Sequence, residues 1–310
     1  MTNIAVVGIG GVGGYFGGLL ARSCENKPGV AVHFVARGPH LESIRKHGLL
    51  LDSQDGIQVV RPASVTAEIA DLPRLDYCLL GVKGYDLAQV LERLKGRIGG
   101  STVILPLLNG VDIFERIRAV VAEGYLHPAC VYVGAFIEKP GTVRQRGSPG
   151  TIVLGADPGS ARENRSILPF LDEAGIRYSW KEDPIAEIWL KYLFIAPFGL
   201  VTAASGMTIG ELLQSGEQLA AAKDVMGEIL ALADRKGVKL PSSAIADTLA
   251  RAANFPSDTR TSFQRDFAVP GKPDERDLFG GSVLRMGREF GIPVPVTAGL
   301  LESIARKKPI

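Results

Sequence analysis

Residues 3–18, NIAVVGIGGVGGYFGG, constrain the fold more than any other stretch of the chain. An apolar run over residues 4–7 meets Gly8, Gly10 and Gly13 in the spacing G-x-G-x-x-G, after which Tyr15, Phe16, Leu19 and Leu20 carry a helical period. The order is strand, tight turn, helix. In such a turn the first glycine takes a backbone conformation barred to other residues, and the second lets a pyrophosphate approach the main chain. The third lets helix and strand pack closely. The helix N-terminus adds unpaired N–H groups and a positive dipole end. A dinucleotide site is therefore expected at Gly8, Gly10 and Gly13. A purely structural turn is the competing reading, since the chain holds 37 glycines, but the position between a strand and a helix favours the nucleotide. Gly14, Gly17 and Gly18 are read as a small-residue face packed on the sheet.

With 310 residues the chain is long enough for two domains, each with its own core. Lys plus Arg number 35 against 33 for Asp plus Glu, so no charge excess argues for a nucleic-acid or membrane surface. The expected partners are small molecules, with a homodimer left open. Cys24, Cys78 and Cys130 lack metal-ligand or C-x-x-C spacing and read as reduced core residues of a cytoplasmic protein. His33, His40, His47 and His127 form no H-x-x-x-H pair, so no metal is expected. The N-terminal apolar stretch lacks the basic flank of a signal sequence. The apolar run 192–204 falls short of the ~20 residues of a spanning helix and contains Pro197, so it reads as a buried core helix.

Residues 30–36, VAVHFVA, read as a second strand ending in Arg37. In a dinucleotide fold an acid at this place binds the adenosine ribose, whereas an arginine pairs with a 2′-phosphate, so NADP(H) is preferred over NAD(H). The bland alternative is an exposed strand-end arginine. Residues 49–52 and 57–60 flank SQDG as a hairpin. Residues 76–82 read as a strand ending in Lys83, 84–94 as the helix after it, and 102–107 as a strand leading to Asn109-Gly110 and a helix from about residue 111. Residues 129–137, 151–154 and 177–180 supply further strands and 160–173 a helix. This alternation predicts an α/β, Rossmann-like doubly wound sheet over residues 1–183. Gly8, Arg37, Lys83 and Asn109 then fall at strand carboxyl ends, where such sheets bind ligands. Taken singly, Lys83 is equally a solvated lysine and Asn109-Gly110 a turn dipeptide.

Beyond residue 183 the pattern turns helical: 185–204, 209–213, 218–236, 242–253, 274–290 and 296–306, with prolines at the joints. Residues 184–310 are expected to form an all-helical substrate domain, with the active site in the cleft between the domains. Lys191, in EIWLKYLFIAPFGL, is a candidate proton donor or, equally, the partner of Glu187 in an i,i+4 pair. Ser262 in TSFQRD and Glu275 in PDERD stand near helix starts, where capping and dipole interaction are the plain readings.

The ordered set GIGGVG, Arg37, VKGYD with Lys83, LNG with Asn109, EIWLK with Lys191, TSFQRD, DERD and GIPVP resembles the ketopantoate reductase (2-dehydropantoate 2-reductase) family over nearly the whole chain. The resemblance implies a Rossmann domain and a helical domain closing over NADPH and a 2-oxo acid. It implies reduction of ketopantoate to pantoate, a step of pantothenate biosynthesis. By the same match Lys191 gives a proton to the forming alkoxide, Asn109 orients substrate or cofactor, and Glu275 bonds the substrate hydroxyls. Ser262 would hold its carboxylate and Lys83 would lie near the cofactor. Family members carry asparagines one and two turns after the catalytic lysine; here those places hold Ile195 and Gly199. Two amides fewer should loosen or redirect specificity, so a paralogous reductase of another 2-oxo acid stands as the alternative. A non-catalytic NADP(H) sensor is the reading from a different class.

Overall fold

The computed structural model describes residues 1–160 and 163–307. The chain divides into two compact units, Met1–Asn109 with Ile113–Pro184, and Gly110–Asp112 with Ile185–Ile310.

In the first unit β1 (Thr2–Val7) leads through α1 (Gly11–Cys24) to β2 (Val30–Val35) and α2 (Gly38–His47). The hairpin β3 (Leu49–Ser53) and β4 (Gly56–Val60) follows, then β5 (Ser64–Thr66), β6 (Tyr77–Leu80), α3 (Leu87–Leu94), β7 (Val103–Pro106), α4 (Ile113–Arg118) and β8 (Tyr125–Leu126). The unit ends with β9 (Ala129–Lys139), β10 (Thr142–Gly155), α5 (Leu168–Glu173) and β11 (Arg177–Lys181). Six strands form a parallel sheet in the order β5-β2-β1-β6-β7-β8. The apolar run of β1 follows from this place: Ile4, Ala5, Val6 and Val7 are all buried, as strands covered on both faces must be. The chain leaves β1 for β2 on one side and returns to β6 on the other, which makes the end of β1 a topological switch point.

The remaining strands form a second, mixed sheet, β11-β10-β3-β4 with β9 paired to β10. Helix α1 packs on both sheets, and its glycines explain how. A methyl at Gly17 would stand 2.9 Å from Val6 of β1, one at Gly14 2.6 Å from Val143 of β10, and one at Gly18 3.2 Å from Leu51 of β3. The small-residue face is thus two faces, one for each sheet.

Boundaries differ where local pattern misleads. Strand β10 begins at Thr142 rather than 151, because its first half, TVRQRGSPG, carries the polar and turn-forming residues of a loop. The helix expected at 160–173 is α5 alone, and residues 161–162 of that span lie outside the described residues. The helix expected at 84–94 opens as a 3₁₀ turn, Gly84–Asp86, before α3.

The second unit is helical: α6 (Pro184–Ser205), α7 (Ile209–Gln214), α8 (Gly216–Arg235), α9 (Ala244–Ala253), α10 (Ser262–Phe267), α11 (Ser282–Phe290) and α12 (Pro295–Lys307). By length and composition α6 could cross a membrane, but 61% of its most apolar window is buried within the chain, as befits a core helix. The helix expected over 274–290 is interrupted: a π-turn, Asp277–Gly281, precedes α11. Helix α10, SFQRDF, is not among the expected helices: its six residues, mostly polar or charged, hold only two aromatic rings, Phe263 and Phe267, at helical spacing.

Candidate active site

Arg37, Gly8, Lys83 and Asn109 follow β2, β1, β6 and β7, four strands adjacent in the parallel sheet. The structure therefore brings these sequence-predicted residues of the first unit to one edge.

The glycine loop divides its labour as the spacing requires. Gly8 sits at φ +95°, and its N–H donates to the Val35 carbonyl at 3.0 Å. A Cβ on Gly13 would lie 2.0 Å from the Gly8 carbonyl oxygen, so no larger residue fits. Gly10 is the opposite case: nothing lies within 4 Å of where its Cβ would be. It is also the N-cap of α1 and brings no side chain to the first helical N–H groups. Open space over Gly10, beside uncapped donors and a positive helix end, fits the phosphates of a dinucleotide. Gly81, unremarked in the sequence, completes the packing, since a Cβ there would stand 2.9 Å from Gly13 Cα.

Arg37 has extended backbone and precedes Gly38, at φ +60°, where α2 begins. Its guanidinium pairs with the carboxylate of Asp86. The acid absent after β2 is thus supplied from beyond β6. Sequence reasoning missed Asp86 because the pairing depends on β2 and β6 flanking β1, which no local pattern records. Lys83 opens the 3₁₀ turn that ends at Asp86, its carbonyl accepting the Asp86 N–H at 2.9 Å. Asn109 is half-buried and precedes Gly110 at φ +124°. His40 on α2 is buried and its Nδ1 accepts the Gly141 N–H at 2.9 Å. Burial pulls its pKa below the ordinary imidazole value, with the Ile9 backbone opposing.

In the second unit Lys191 lies on α6 with 7% of its surface exposed, one turn after the half-buried Glu187. Ile195 and Gly199 follow one and two turns later on the same face. At Gly199 the space is taken by two rings: a Cβ there would touch Phe263 and Phe279 at 3.5 Å, and these rings stack with centroids 5.1 Å apart. Glu275, 6% exposed, stands between Asp274 and Arg276, which pair at 2.8 Å. Its carbonyl accepts the N–H groups of Leu278 at 2.9 Å and Phe279 at 3.1 Å, so Glu275 anchors the π-turn. Ser262 is exposed as the first residue of α10; the cap itself is Thr261, whose hydroxyl accepts the Gln264 N–H at 3.2 Å. The Thr261 hydroxyl also lies 2.9 Å from that of Thr202, which joins α10 to α6. Among the described residues no group of three or more His, Cys, Asp or Glu could hold a metal ion.

The first unit can therefore cradle phosphates and hold a nucleoside end, while the second carries a covered ammonium and a covered carboxylate. A family model described as ketopantoate reductase PanE/ApbA matches residues 4–159, and one for the C terminal part of the same family matches residues 183–308. The 2-dehydropantoate 2-reductase of Mesorhizobium japonicum is 26% identical over 324 residues, covering 98% of this chain and 97% of the relative. The crystal structure of a PanE/ApbA family ketopantoate reductase from Ralstonia eutropha JMP134 matches with a TM-score of 0.87 at 27% identity, over 99% of this chain and 98% of that one. D-mandelate dehydrogenase, solved with NADH and anilino(oxo)acetate, shares the fold, with a TM-score of 0.86 at 21% identity over 99% and 98% of the two chains.

Proposed function

The chain belongs to the ketopantoate reductase family of oxidoreductases, and on that premise we propose that it reduces a 2-oxo acid with NADPH, ketopantoate being the leading substrate and pantoate its product. When bound, the nicotinamide supplies a hydride to C2 of the 2-oxo group. Gly8, Gly10 and Gly13 admit the pyrophosphate to the first turn of α1, and Arg37 meets the 2′-phosphate; residues 1–183 are the NADP-binding domain. Lys83 lies near the cofactor and Asn109 orients cofactor or substrate. Residues 184–310 are the substrate domain. There Lys191 donates a proton from Nζ to the carbonyl oxygen as negative charge develops on it, Glu275 accepts from the substrate hydroxyls, and Ser262 holds the carboxylate. Three buried cysteines, none disulfide-bonded, suit a cytoplasmic setting.

The observation that carries this reading is the burial of Lys191 on the largely apolar helix α6. A covered ammonium at this place in the substrate domain is able to give a proton to a forming alkoxide. Following NADPH oxidation with ketopantoate and a panel of 2-oxo acids tests it. Tight NADPH binding with no oxidation on any carbonyl would sink the reductase in favour of a sensor. A second reading, a reductase of another 2-oxo acid, draws support from the rings of Phe263 and Phe279 against Gly199, where the family resemblance leads one to expect an amide. Turnover fastest on an acid without hydroxyl groups would favour it.

A further inference from the structure

We propose that Asp86 is a cofactor-selectivity residue: its carboxylate competes for the Arg37 guanidinium and so weakens the hold on a 2′-phosphorylated nucleotide relative to an unphosphorylated one. This rests on the reading of Arg37 as the 2′-phosphate partner. Arg37 follows β2 and Asp86 follows β6, the two neighbours of β1, so their ion pair spans the strand end from which the glycine loop springs. The pair lies on the ground a bound adenosine ribose would share.

Asp86 closes the 3₁₀ turn Gly84–Asp86 that runs into α3, and its side chain makes no capping bond to that helix. The carboxylate is turned to Arg37 instead. The two partners are unequally covered: the Asp86 side chain is 18% exposed and that of Arg37 73%. The carboxylate is therefore held in place, while most of the guanidinium faces solvent and keeps donors for a second anion.

Two consequences follow from charge. A 2′-phosphate reaching Arg37 meets a guanidinium already paired with a carboxylate, and the carboxylate repels it. A ribose with a free 2′-hydroxyl meets no such repulsion and can donate to an acid at this site, the role an acidic residue plays in NAD-binding folds. Arg37 and Asp86 thus pull in opposite directions, and the site accepts NADH more readily than Arg37 alone would allow.

The test is Asp86→Asn, which keeps the shape and removes the charge. Dissociation constants for NADPH, NADH, 2′,5′-ADP and ADP are measured by calorimetry on the full chain. NADPH and 2′,5′-ADP should bind about two- to fivefold tighter, the range of a partly exposed charge pair, with a gain that shrinks as salt rises. NADH and ADP should bind equally or more weakly. Asp86→Ser, which removes the charge and shortens the side chain, must act in the same sense. Unchanged or weaker NADPH binding in both variants overturns the proposal. Arg37→Ala separates the premise: if it leaves the NADPH-to-NADH ratio untouched, the Arg37 reading fails, whereas a changed ratio with inert Asp86 variants condemns the Asp86 proposal alone.

Discussion

The buried hydroxyl of Tyr192 donates to the carbonyl oxygen of Leu278 at 2.7 Å, and reaches that of Phe279 at 2.8 Å. Tyr192 directly follows Lys191, and the two carbonyls belong to the π-turn anchored on Glu275. Widened turns of this kind leave carbonyls outside the regular ladder and recur at functional sites. One side chain thus couples the helix bearing the candidate acid to the segment bearing the candidate carboxylate.

Tyr192→Phe should therefore destabilise the protein by about 1–3 kcal/mol, the range for buried polar groups that lose a partner. If the coupling positions Glu275, KM for a hydroxylated substrate should rise while the Kd for NADPH stays constant. Urea unfolding reads the first effect, and steady-state kinetics with calorimetry the second. A stability loss with unchanged KM would leave Tyr192 a structural role only.

Lys191→Ala should lower turnover by ~10²-fold or more, the usual contribution of general acid catalysis, with NADPH binding retained. Unchanged turnover in a stopped-flow assay of NADPH oxidation would remove Lys191 from the chemistry. Lys191→Arg keeps the charge but cannot release a proton at neutral pH, and should stay equally slow.

Gly199 and Ile195 should respond in different ways to asparagine. A Cβ at 199 finds ordinary contact at 3.5 Å with Phe263 and Phe279, so Gly199→Ala should be tolerated and gain helix propensity of ~0.5–1 kcal/mol. Gly199→Asn must push polar atoms into stacked rings, at a cost of about 1–3 kcal/mol from overpacking alone. Ile195 is half-buried, and Ile195→Asn should raise kcat/KM for ketopantoate if that is the substrate. A neutral result points to another acid.

What could be read from the sequence was local. The run and glycines of residues 4–18 have one compact solution, because strand burial, a left-handed turn and helix packing all agree there. Arg37 was visible for the same reason, as a residue fixed by the end of a strand. Asp86 was not, since its relation to Arg37 is made by sheet order. Nor was the second sheet: β10 looks like a loop where it pairs β3, and the glycines of α1 reveal a second neighbour only once Val143 and Leu51 are seen beside them. The stack over Gly199 likewise joins α6, the short helix α10 and a π-turn that the helical pattern of 274–290 does not distinguish from an ordinary helix.

Acid should destabilise the fold through its histidines before its carboxylates titrate. His33, bonded to Ser64 at 2.8 Å, His40, bonded to Gly141 at 2.9 Å, and His127, bonded to the Gly155 carbonyl at 2.7 Å, are all buried. Burial lowers the pKa of each. The unfolded chain, with ordinary imidazoles near ~6.5, then binds more protons than the native one as pH falls below that value. Stability is fully present above about pH 6.5 and drains away as pH drops toward and through the lowered native values. The carboxyls held low act in a more acidic window, Asp52 by its hydrogen bond from Arg146 and Glu211 by the Thr208 backbone N–H. The urea midpoint should therefore be flat from pH 8 to 7 and decline between pH 6.5 and 5. Replacing His127, fully covered beside Trp180, with Gln should flatten that decline. A midpoint that holds steady down to pH 5 would show that the three imidazoles are accommodated as cations.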